Sequence, residues 1–113
     1  MVPNFPNFYI CYGPNTNTGH VSIIYMIESQ IMYIMKCLGF MKSKRLNYLD
    51  VKNSAMKSYN EKLQKKLSET VWASNCGSWY KTKEGKIINN YPGYGTEYYF
   101  MMSRPDYNEL KTE

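Results

Sequence analysis

The sequence predicts an α+β fold in which a strand and a loop lead into a long apolar helix, an amphipathic helix and a short β-hairpin. Three patterns carry this prediction: an aromatic, apolar run at residues 8–12, an apolar stretch at residues 21–41, and a four-residue apolar repeat across residues 51–71. The chain has 113 residues, of which 43% are hydrophobic and 16% aromatic. This length and composition indicate one small domain and exclude disorder over the whole chain.

The first predicted element is a strand at residues 8–12 (FYICY), which lies between Pro6 and Gly13. Apolar and polar residues do not alternate in this run, which favours a strand covered on both faces, as in a parallel sheet. Residues 13–20 (GPNTNTGH) are rich in turn formers and helix-capping residues and therefore predict a loop.

The long helix predicted at residues 21–41 is apolar nearly all round, which is typical of a core helix or of a membrane span. The polar residues Glu28, Ser29 and Gln30 lie in its middle, where a carboxylate in hydrocarbon is costly. We therefore favour the core helix and find no firm membrane signal. A core helix needs cover on most of its sides, and a short chain offers little, so we expect this helix to pack on a domain that is missing here.

The second predicted helix is polar except for one apolar stripe, whose members recur every four residues: Val51, Ala55, Tyr59, Leu63, Leu67 and Val71. Asp50 is its expected N-cap, and the helix is expected to end near Ala73. Packing against a core explains such a stripe better than a cofactor surface does.

The remaining residues predict short β elements. Residues 78–91 predict a hairpin that turns at Gly85, and the aromatic run at residues 98–102 predicts a further short strand. The tail from Ser103 is polar, and we expect it to fray.

Charge does not favour nucleic acid as a partner. Lys and Arg number 14 against 9 Asp and Glu, a formal net charge of +5. The lysines of the second helix are interspersed with Glu61 and Glu69, which is typical of a solvated face. The charge pattern thus predicts no nucleic-acid interface.

Cysteine and glycine usage excludes several other kinds of site. The three cysteines form no CxxC pair and there is one histidine, so neither a disulfide framework nor a metal site is expected. Gly93 and Gly95 are the only close glycine pair and lack the rest of a dinucleotide-binding motif. The N-terminus lacks the features of a signal peptide, so we expect a cytoplasmic protein with reduced thiols.

Two longer motifs are specific. Residues 2–24 read VPNFPNFYICYGPNTNTGHVSII, and residues 68–80 read SETVWASNCGSWY, followed by a glycine turn and the YPG of residues 91–93. They resemble the patterns PNLFxLYGPNTNxGHGSxI, TVW…CxSWY and G…WPG of flavin-dependent monooxygenases of the Baeyer–Villiger type. The matches run in order from residue 2 to about 100. The chain departs from the family at Val21, where glycine is usual, and at Tyr91, where tryptophan is common.

The resemblance implies the C-terminal piece of a flavoprotein fold with two dinucleotide-binding domains. Residues 1–41 would be the last strand, loop and helix of the FAD-binding domain, residues 42–102 a C-terminal helix and hairpin segment, and residues 103–113 a polar tail. The family's two Gly-rich motifs, its fingerprint and its flavin-supporting arginine have no counterpart in this sequence. The chain is then a fragment, a mispredicted gene product or a decayed remnant of an enzyme roughly four- to fivefold longer.

The resemblance also assigns cofactor-binding residues. The loop that would face FAD contains Gly13, Asn15, Thr16, Asn17, Gly19, His20 and Ser22. This loop leads into a helix N-terminus, whose free N–H groups and partial positive charge would stabilise an anionic reduced flavin. A plain connecting loop with helix-capping residues is the alternative.

The remaining candidate residues have no expected catalytic role. His20 has no evident orienting partner for acid–base catalysis, and the resemblance implies that it positions the flavin instead. Trp79 matches a tryptophan that some family members bring onto NADP(H) from a loop, and an aromatic anchor that packs the hairpin is the alternative. Cys76 is expected to be an inert thiol, since no base is paired with it.

The predicted function is that of a partial FAD- and NADPH-dependent monooxygenase. The parent enzyme would insert oxygen into ketones or oxidise soft heteroatoms of small organic substrates, and the isolated chain would be inactive. The alternative is a non-catalytic remnant or interaction module that packs on another polypeptide, which the apolar helix favours.

Overall fold

The computed structural model describes residues 1–74 and 78–113 and has a small α+β fold, as the sequence predicts. Three helices and two strands follow one another: α1 (Ile23–Lys44), β1 (Leu49–Val51), α2 (Asn53–Ser68), α3 (Gly95–Ser103) and β2 (Leu110–Thr112). One-turn 3-10 helices occur at Val71–Ala73 and Tyr107–Glu109. The strands β1 and β2 pair antiparallel, with Leu49 opposite Thr112 and Val51 opposite Leu110.

The predicted long helix is confirmed as α1, which starts after the extended residue Ser22. It ends at Arg45, whose left-handed backbone (φ 56°) lets its N–H donate to the carbonyls of Met41 and Lys42. By length and composition alone, α1 meets the criteria for a membrane span, which core helices of soluble proteins also meet. The helix α3 packs along one side of α1.

Two apolar clusters form the core. The first joins the three helices to the segment before α3 and consists of Met26, Leu63, Leu67, Ile87, Tyr91 and Tyr98. The second lies at the C-terminal half of α1 and consists of Cys37, Leu49 and Leu110, with the stacked rings of Phe40 and Tyr107 beside it at a centroid distance of 3.9 Å. The first cluster supports the candidate site.

The prediction of a buried strand at residues 8–12 is wrong. No strand of the described ranges pairs with these residues, and the backbone turns at Tyr12, which has a φ of 51°. Phe8 and Ile10 are exposed. A strand covered on both faces needs neighbouring strands and a covering layer, which the described residues do not supply.

The second helix exists but is shorter than predicted, since α2 starts at Asn53 and ends at Ser68. Asp50 is not its N-cap and lies in β1 instead. Its carboxylate accepts hydrogen bonds from the Asn4 backbone N–H at 3.1 Å and lies 3.7 Å from Lys111 Nζ. These partners compensate the burial of Asp50, so the residue is used in tertiary structure and not in capping.

The predicted strand at residues 98–102 is wrong, because these residues belong to α3. The helix begins at Gly95, where an added Cβ would lie 2.9 Å from a methyl carbon of Val21 and 3.2 Å from the Tyr25 ring. Because α3 approaches α1 this closely, the buried Tyr98 of α3 packs in the first apolar cluster. Tertiary packing therefore outweighs the strand propensity of the aromatic run.

The polar tail does not fray as predicted, because β2 pairs with β1 and buries Leu110. The predicted reversal at Gly85 is confirmed, and this glycine has a φ of 83°. The reversal closes with the Thr82 N–H to the Lys86 carbonyl at 2.9 Å. It forms only one isolated antiparallel bridge, between Lys81 and Ile87, so the hairpin is shorter than expected.

Candidate functional site

The loop that precedes α1 lies alongside residues 87–91 and pairs with them like a strand edge. The N–H of Asn15 donates to the Ile88 carbonyl at 2.8 Å, and the N–H of Asn17 donates to the Asn89 carbonyl at 2.9 Å. The Asn17 carbonyl accepts from the Tyr91 N–H at 2.8 Å. A parallel bridge between Asn17 and Asn90 results. The loop backbone is therefore held in place by the segment that follows the hairpin.

Asn15 points its side chain into the fold. Only 6% of the residue is exposed, and its amide Nδ2 donates to the carbonyls of Ile87 at 2.9 Å and Asn90 at 3.0 Å. Its φ of 56° is in the left-handed region, which asparagine tolerates better than most residues. The amide donors of Asn15 are thus used within the chain, and a contact between this residue and a cofactor stays a prediction.

A cavity of about 480 Å³ opens beside this loop. Its walls are formed by Tyr12, Gly13, Pro14, Thr16, Asn17, Trp79 and Asn89. Four of the eight predicted cofactor-binding residues therefore line one cavity, although Trp79 is distant from the other three in sequence. The Trp79 residue is 77% exposed, which argues against its being an anchor that packs the hairpin.

Hydrogen bonds order the polar wall of this cavity. Thr16 Oγ1 donates to the Gly13 carbonyl at 2.6 Å, and Asn17 Oδ1 accepts from the Tyr12 hydroxyl at 3.0 Å. A Cβ at Gly13 would lie 2.9 Å from a methyl carbon of Ile10, so a larger residue would disturb the turn. These bonds hold the side chains of Thr16 and Asn17 in the cavity wall.

The later residues of the loop do not line this cavity. His20 lines a second cavity of about 370 Å³, between the starts of α1 and α3, and its ring lies edge-to-face with Tyr94 at a centroid distance of 6.0 Å. Ser22 is the N-cap residue of α1, but its side chain makes no capping hydrogen bond. Of the eight predicted site residues, four line the first cavity, His20 lines the second, Asn15 is interior, and Gly19 and Ser22 line neither cavity.

The start of α1 fits a negatively charged group. The first N–H groups of a helix have no partner within the helix, and at α1 no side chain caps them. Gly19 is exposed, and a Cβ there would meet no heavy atom within 4 Å. Its φ is not positive, so this chain itself does not require glycine at the position. The open space permits a ligand to approach the backbone closely.

Gln30 supports the site, a role that its sequence pattern did not predict. Its Oε1 accepts from the Tyr12 N–H at 2.7 Å, and its Nε2 donates to the Tyr98 hydroxyl at 2.8 Å. Burial raises the pKa of Tyr98, and the hydrogen bond from Gln30 acts in the opposite direction. The sequence signal for this role is a polar residue in the middle of an apolar helix. In the structure, this residue connects the Tyr12 turn to α3.

Gln64 was also missed, and it supports the segment that faces the loop. Its Nε2 donates to the Ile87 carbonyl at 2.8 Å, and its Oε1 accepts from the Ile87 N–H at 3.2 Å. Within residues 1–74 and 78–113, no group of three or more His, Cys, Asp or Glu side chains is placed to hold a metal ion. The predicted inert thiol, Cys76, lies outside the described residues.

Comparison with curated proteins finds flavin-dependent relatives. A Baeyer–Villiger monooxygenase of Pseudomonas aeruginosa is 45% identical over 92 residues, which are 80% of this chain and 18% of the relative. The FAD-binding monooxygenase ktnD of Aspergillus niger is 44% identical over 96 residues, or 80% of this chain and 16% of the relative. A Baeyer–Villiger monooxygenase of Streptomyces coelicolor is 35% identical over 114 aligned positions, or 95% of this chain and 21% of the relative.

The chain thus spans about a fifth of the length of the curated relatives that it matches. No family model matches it, and no solved structure matches it.

Proposed function

The chain belongs to the Baeyer–Villiger type of FAD-binding monooxygenases, as a segment of their length, and on that premise we propose that residues 13–22 and Trp79 form part of the cofactor site. The parent enzyme uses FAD and NADPH to insert one oxygen atom into ketones or to oxidise soft heteroatoms of small organic substrates. It acts in the cytoplasm. The isolated chain is inactive.

One observation carries this proposal. The family resemblance assigns Gly13, Thr16 and Asn17 to flavin and, from a separate motif, Trp79 to the nicotinamide cofactor. All four residues line the same cavity of about 480 Å³. Two cofactors that exchange a hydride must lie against each other, so residues that serve them are expected to share one cavity.

The residues of this chain would bind and orient, while FAD supplies the chemistry of oxygen activation when it is bound. The uncapped N–H groups at the start of α1 would stabilise negative charge on the flavin. The exposed indole of Trp79 would stack on the nicotinamide cofactor and exclude water from it. His20 would position the cofactor and would transfer no proton.

The inactivity of the isolated chain follows from how little of a cofactor this cavity encloses. The cavity is open to solvent, and of the described residues only 12–14, 16, 17, 79 and 89 line it. Binding sites for cofactors usually bury most of the ligand surface. We therefore expect neither retained flavin nor NADPH oxidation by the 113-residue chain.

A chimera tests the proposal. The aligned 92 residues of the Pseudomonas aeruginosa monooxygenase are replaced by those of this chain, and the purified protein is assayed for flavin absorbance and for NADPH consumption with and without a ketone. The chimera is expected to retain FAD. A chimera that unfolds cooperatively but holds no flavin would contradict the proposal, as would NADPH oxidation by the isolated chain.

The role of Trp79 is tested in the same chimera. Trp79→Ala is expected to raise the KM for NADPH about tenfold while FAD stays bound, since a stacking contact contributes about 1 kcal/mol or more. The matched control is Phe100→Ala, an exposed aromatic residue of α3 that does not line the cavity. Equal effects of the two substitutions would count against a cofactor role for Trp79.

A second candidate function is that of a non-catalytic module that packs on another polypeptide. The observation that favours it is the exposed apolar side of α1, where Ile24 and Met35 are 67% and 61% exposed. Apolar patches of this kind mark protein contacts. This candidate predicts a chimera that folds without flavin, and the flavin measurement above therefore separates the two functions.

A further inference from the structure

We propose that Asn15 is a positioning residue that holds the two walls of the 480 Å³ cavity in register, through its hydrogen bonds to residues 87–90. One wall is the loop at residues 13–17, and the other carries Trp79. The inference rests on the proposed function in that it takes this cavity as the cofactor site. It goes beyond that function by identifying the residue on which the relative placement of the walls depends.

Asn15 makes three hydrogen bonds to one short segment. Its two amide hydrogens are shared between the carbonyls of Ile87 and Asn90, at 2.9 and 3.0 Å, and its backbone N–H donates to the Ile88 carbonyl at 2.8 Å. All three acceptors lie on the strip of backbone that follows the Gly85 turn. Asn15 therefore supplies the buried side-chain attachment of the loop to this strip, beside the backbone bonds that Asn17 makes to Asn89 and Tyr91.

The same strip is attached to the Trp79 wall. The Ile88 N–H donates to the Tyr80 carbonyl at 3.0 Å, and Tyr80 is the chain neighbour of Trp79. On the far side, the carboxamide of Gln64 accepts from the Ile87 N–H and donates to the Ile87 carbonyl. The strip is thus hydrogen-bonded to Asn15 of the loop, to Tyr80 beside Trp79 and to Gln64 of α2.

The position requires the chemistry of asparagine in two respects. The backbone is left-handed, with a φ of 56°, and the buried side chain must supply two donors. Aspartate has the same shape but would place a carboxylate against two carbonyl oxygens. Glycine accepts the backbone conformation but has no donors. The pair Asn15→Asp and Asn15→Gly therefore removes the side-chain donors while the left-handed backbone conformation is kept.

Amide hydrogen exchange of the full 113-residue chain tests the proposal. In both Asn15→Asp and Asn15→Gly, protection of the Asn17, Ile88 and Tyr91 amides is expected to fall about tenfold or more, while the amides of β1 keep theirs. The control is Asn60→Asp, the same chemical change on α2, where the half-buried side chain donates to the Met56 carbonyl of its own helix. It is expected to leave the site amides unchanged.

Two exchange results would overturn the proposal. One is a uniform loss of protection over the whole chain, which is what a merely structural role gives. The other is unchanged protection of Asn17 and Ile88 in Asn15→Gly, which would mean that the amide donors are unnecessary.

The flavin-binding chimera provides a second, functional readout. There, Asn15→Gly is expected to raise the KM for NADPH several-fold, by a larger factor than it changes kcat. An unchanged KM would overturn the proposal. If the unsubstituted chimera holds no flavin, the proposed function fails, while the exchange experiment on the isolated chain still decides the role of Asn15.

Discussion

The polarity of the two sides of α1 is the reverse of that of an ordinary surface helix. The side covered by α3 and by the turn at Tyr12 carries the buried polar residues Ser29 and Gln30 beside Met26. The free side exposes large apolar residues, among them Ile24 and Met35. A surface helix of a monomeric protein normally places its apolar stripe inward and its polar residues outward.

The difference shows that polarity alone did not decide which side of α1 is covered. Gln30 is buried where the chain offers a backbone N–H and a hydroxyl as partners, so its burial carries no unpaired polar group. The apolar side has no partner among the described residues, and the chain spans only about a fifth of its relatives' length. Exposed apolar residues grouped on one side of a helix are typical of protein contact surfaces.

The strongest test of the comparison is the same substitution on both sides of α1. Met26→Ala removes a side chain with no exposed surface and is expected to lower the free energy of unfolding by about 2–5 kcal/mol. Met35→Ala, on the free side, is expected to change it by less than about 0.5 kcal/mol. Urea denaturation followed by circular dichroism measures both, and similar losses would mean that the two sides are equally covered.

The next test removes the polar group from the covered side. Gln30→Met leaves the Tyr12 N–H and the Tyr98 hydroxyl without their partner and is expected to cost about 1–3 kcal/mol. Adding Tyr98→Phe should recover part of this loss, because the hydroxyl is then absent. A double-mutant cycle measures the coupling, and strictly additive costs would show that the buried bond contributes nothing.

Alkaline pH provides a further test of the covered side. Burial raises the pKa of Tyr91 and Tyr98 above the ordinary value of 10.0, so above that pH the unfolded chain loses these protons before the folded chain does. The stability that these two hydroxyls contribute is fully present below pH 10. Above pH 10 the free energy of unfolding falls by up to about 1.4 kcal/mol per pH unit for each hydroxyl. Tyr91→Phe should flatten the decline in urea midpoints with pH, and an unchanged slope would contradict the expected effect of burial.

The smallest effect on stability is expected on the free side. Met35→Lys and Leu38→Lys add charge where both residues are exposed, so the free energy of unfolding should change by less than about 0.5 kcal/mol. Self-association of the isolated chain should fall, as measured by sedimentation velocity. Met35→Leu and Leu38→Met keep the side apolar and serve as controls. Unchanged self-association of the lysine variants would show that this side of α1 does not mediate the association.

Local patterns predicted the elements whose determinants lie within the element itself. The apolar stretch gave α1, the stripe around Leu63 and Leu67 gave α2, and Gly85 marked the reversal. The pairing of β1 with β2 was missed, because it joins two three-residue strands from distant parts of the sequence. Such contacts leave no periodic signal.

Other failures have different physical causes. The run at residues 8–12 has strand composition but no neighbouring strand among the described residues. Asn15 was expected to face FAD, but its side chain bonds the interior of the fold from a left-handed backbone, and no local pattern indicates that direction. The division into segments at residues 41 and 102 stays a prediction.

The contact between Val21 and Gly95 links two positions whose substitutions cannot be judged separately. A Cβ at residue 95 would press on the branched side chain of Val21, which stands where the resembled motif has glycine. Bulk at one position is therefore permissible only when the other is small, which is pairwise epistasis. Gly95→Ala should be harmful in the present background and become tolerated once Val21→Gly restores the space, so the order in which the two changes are introduced decides which intermediates fold.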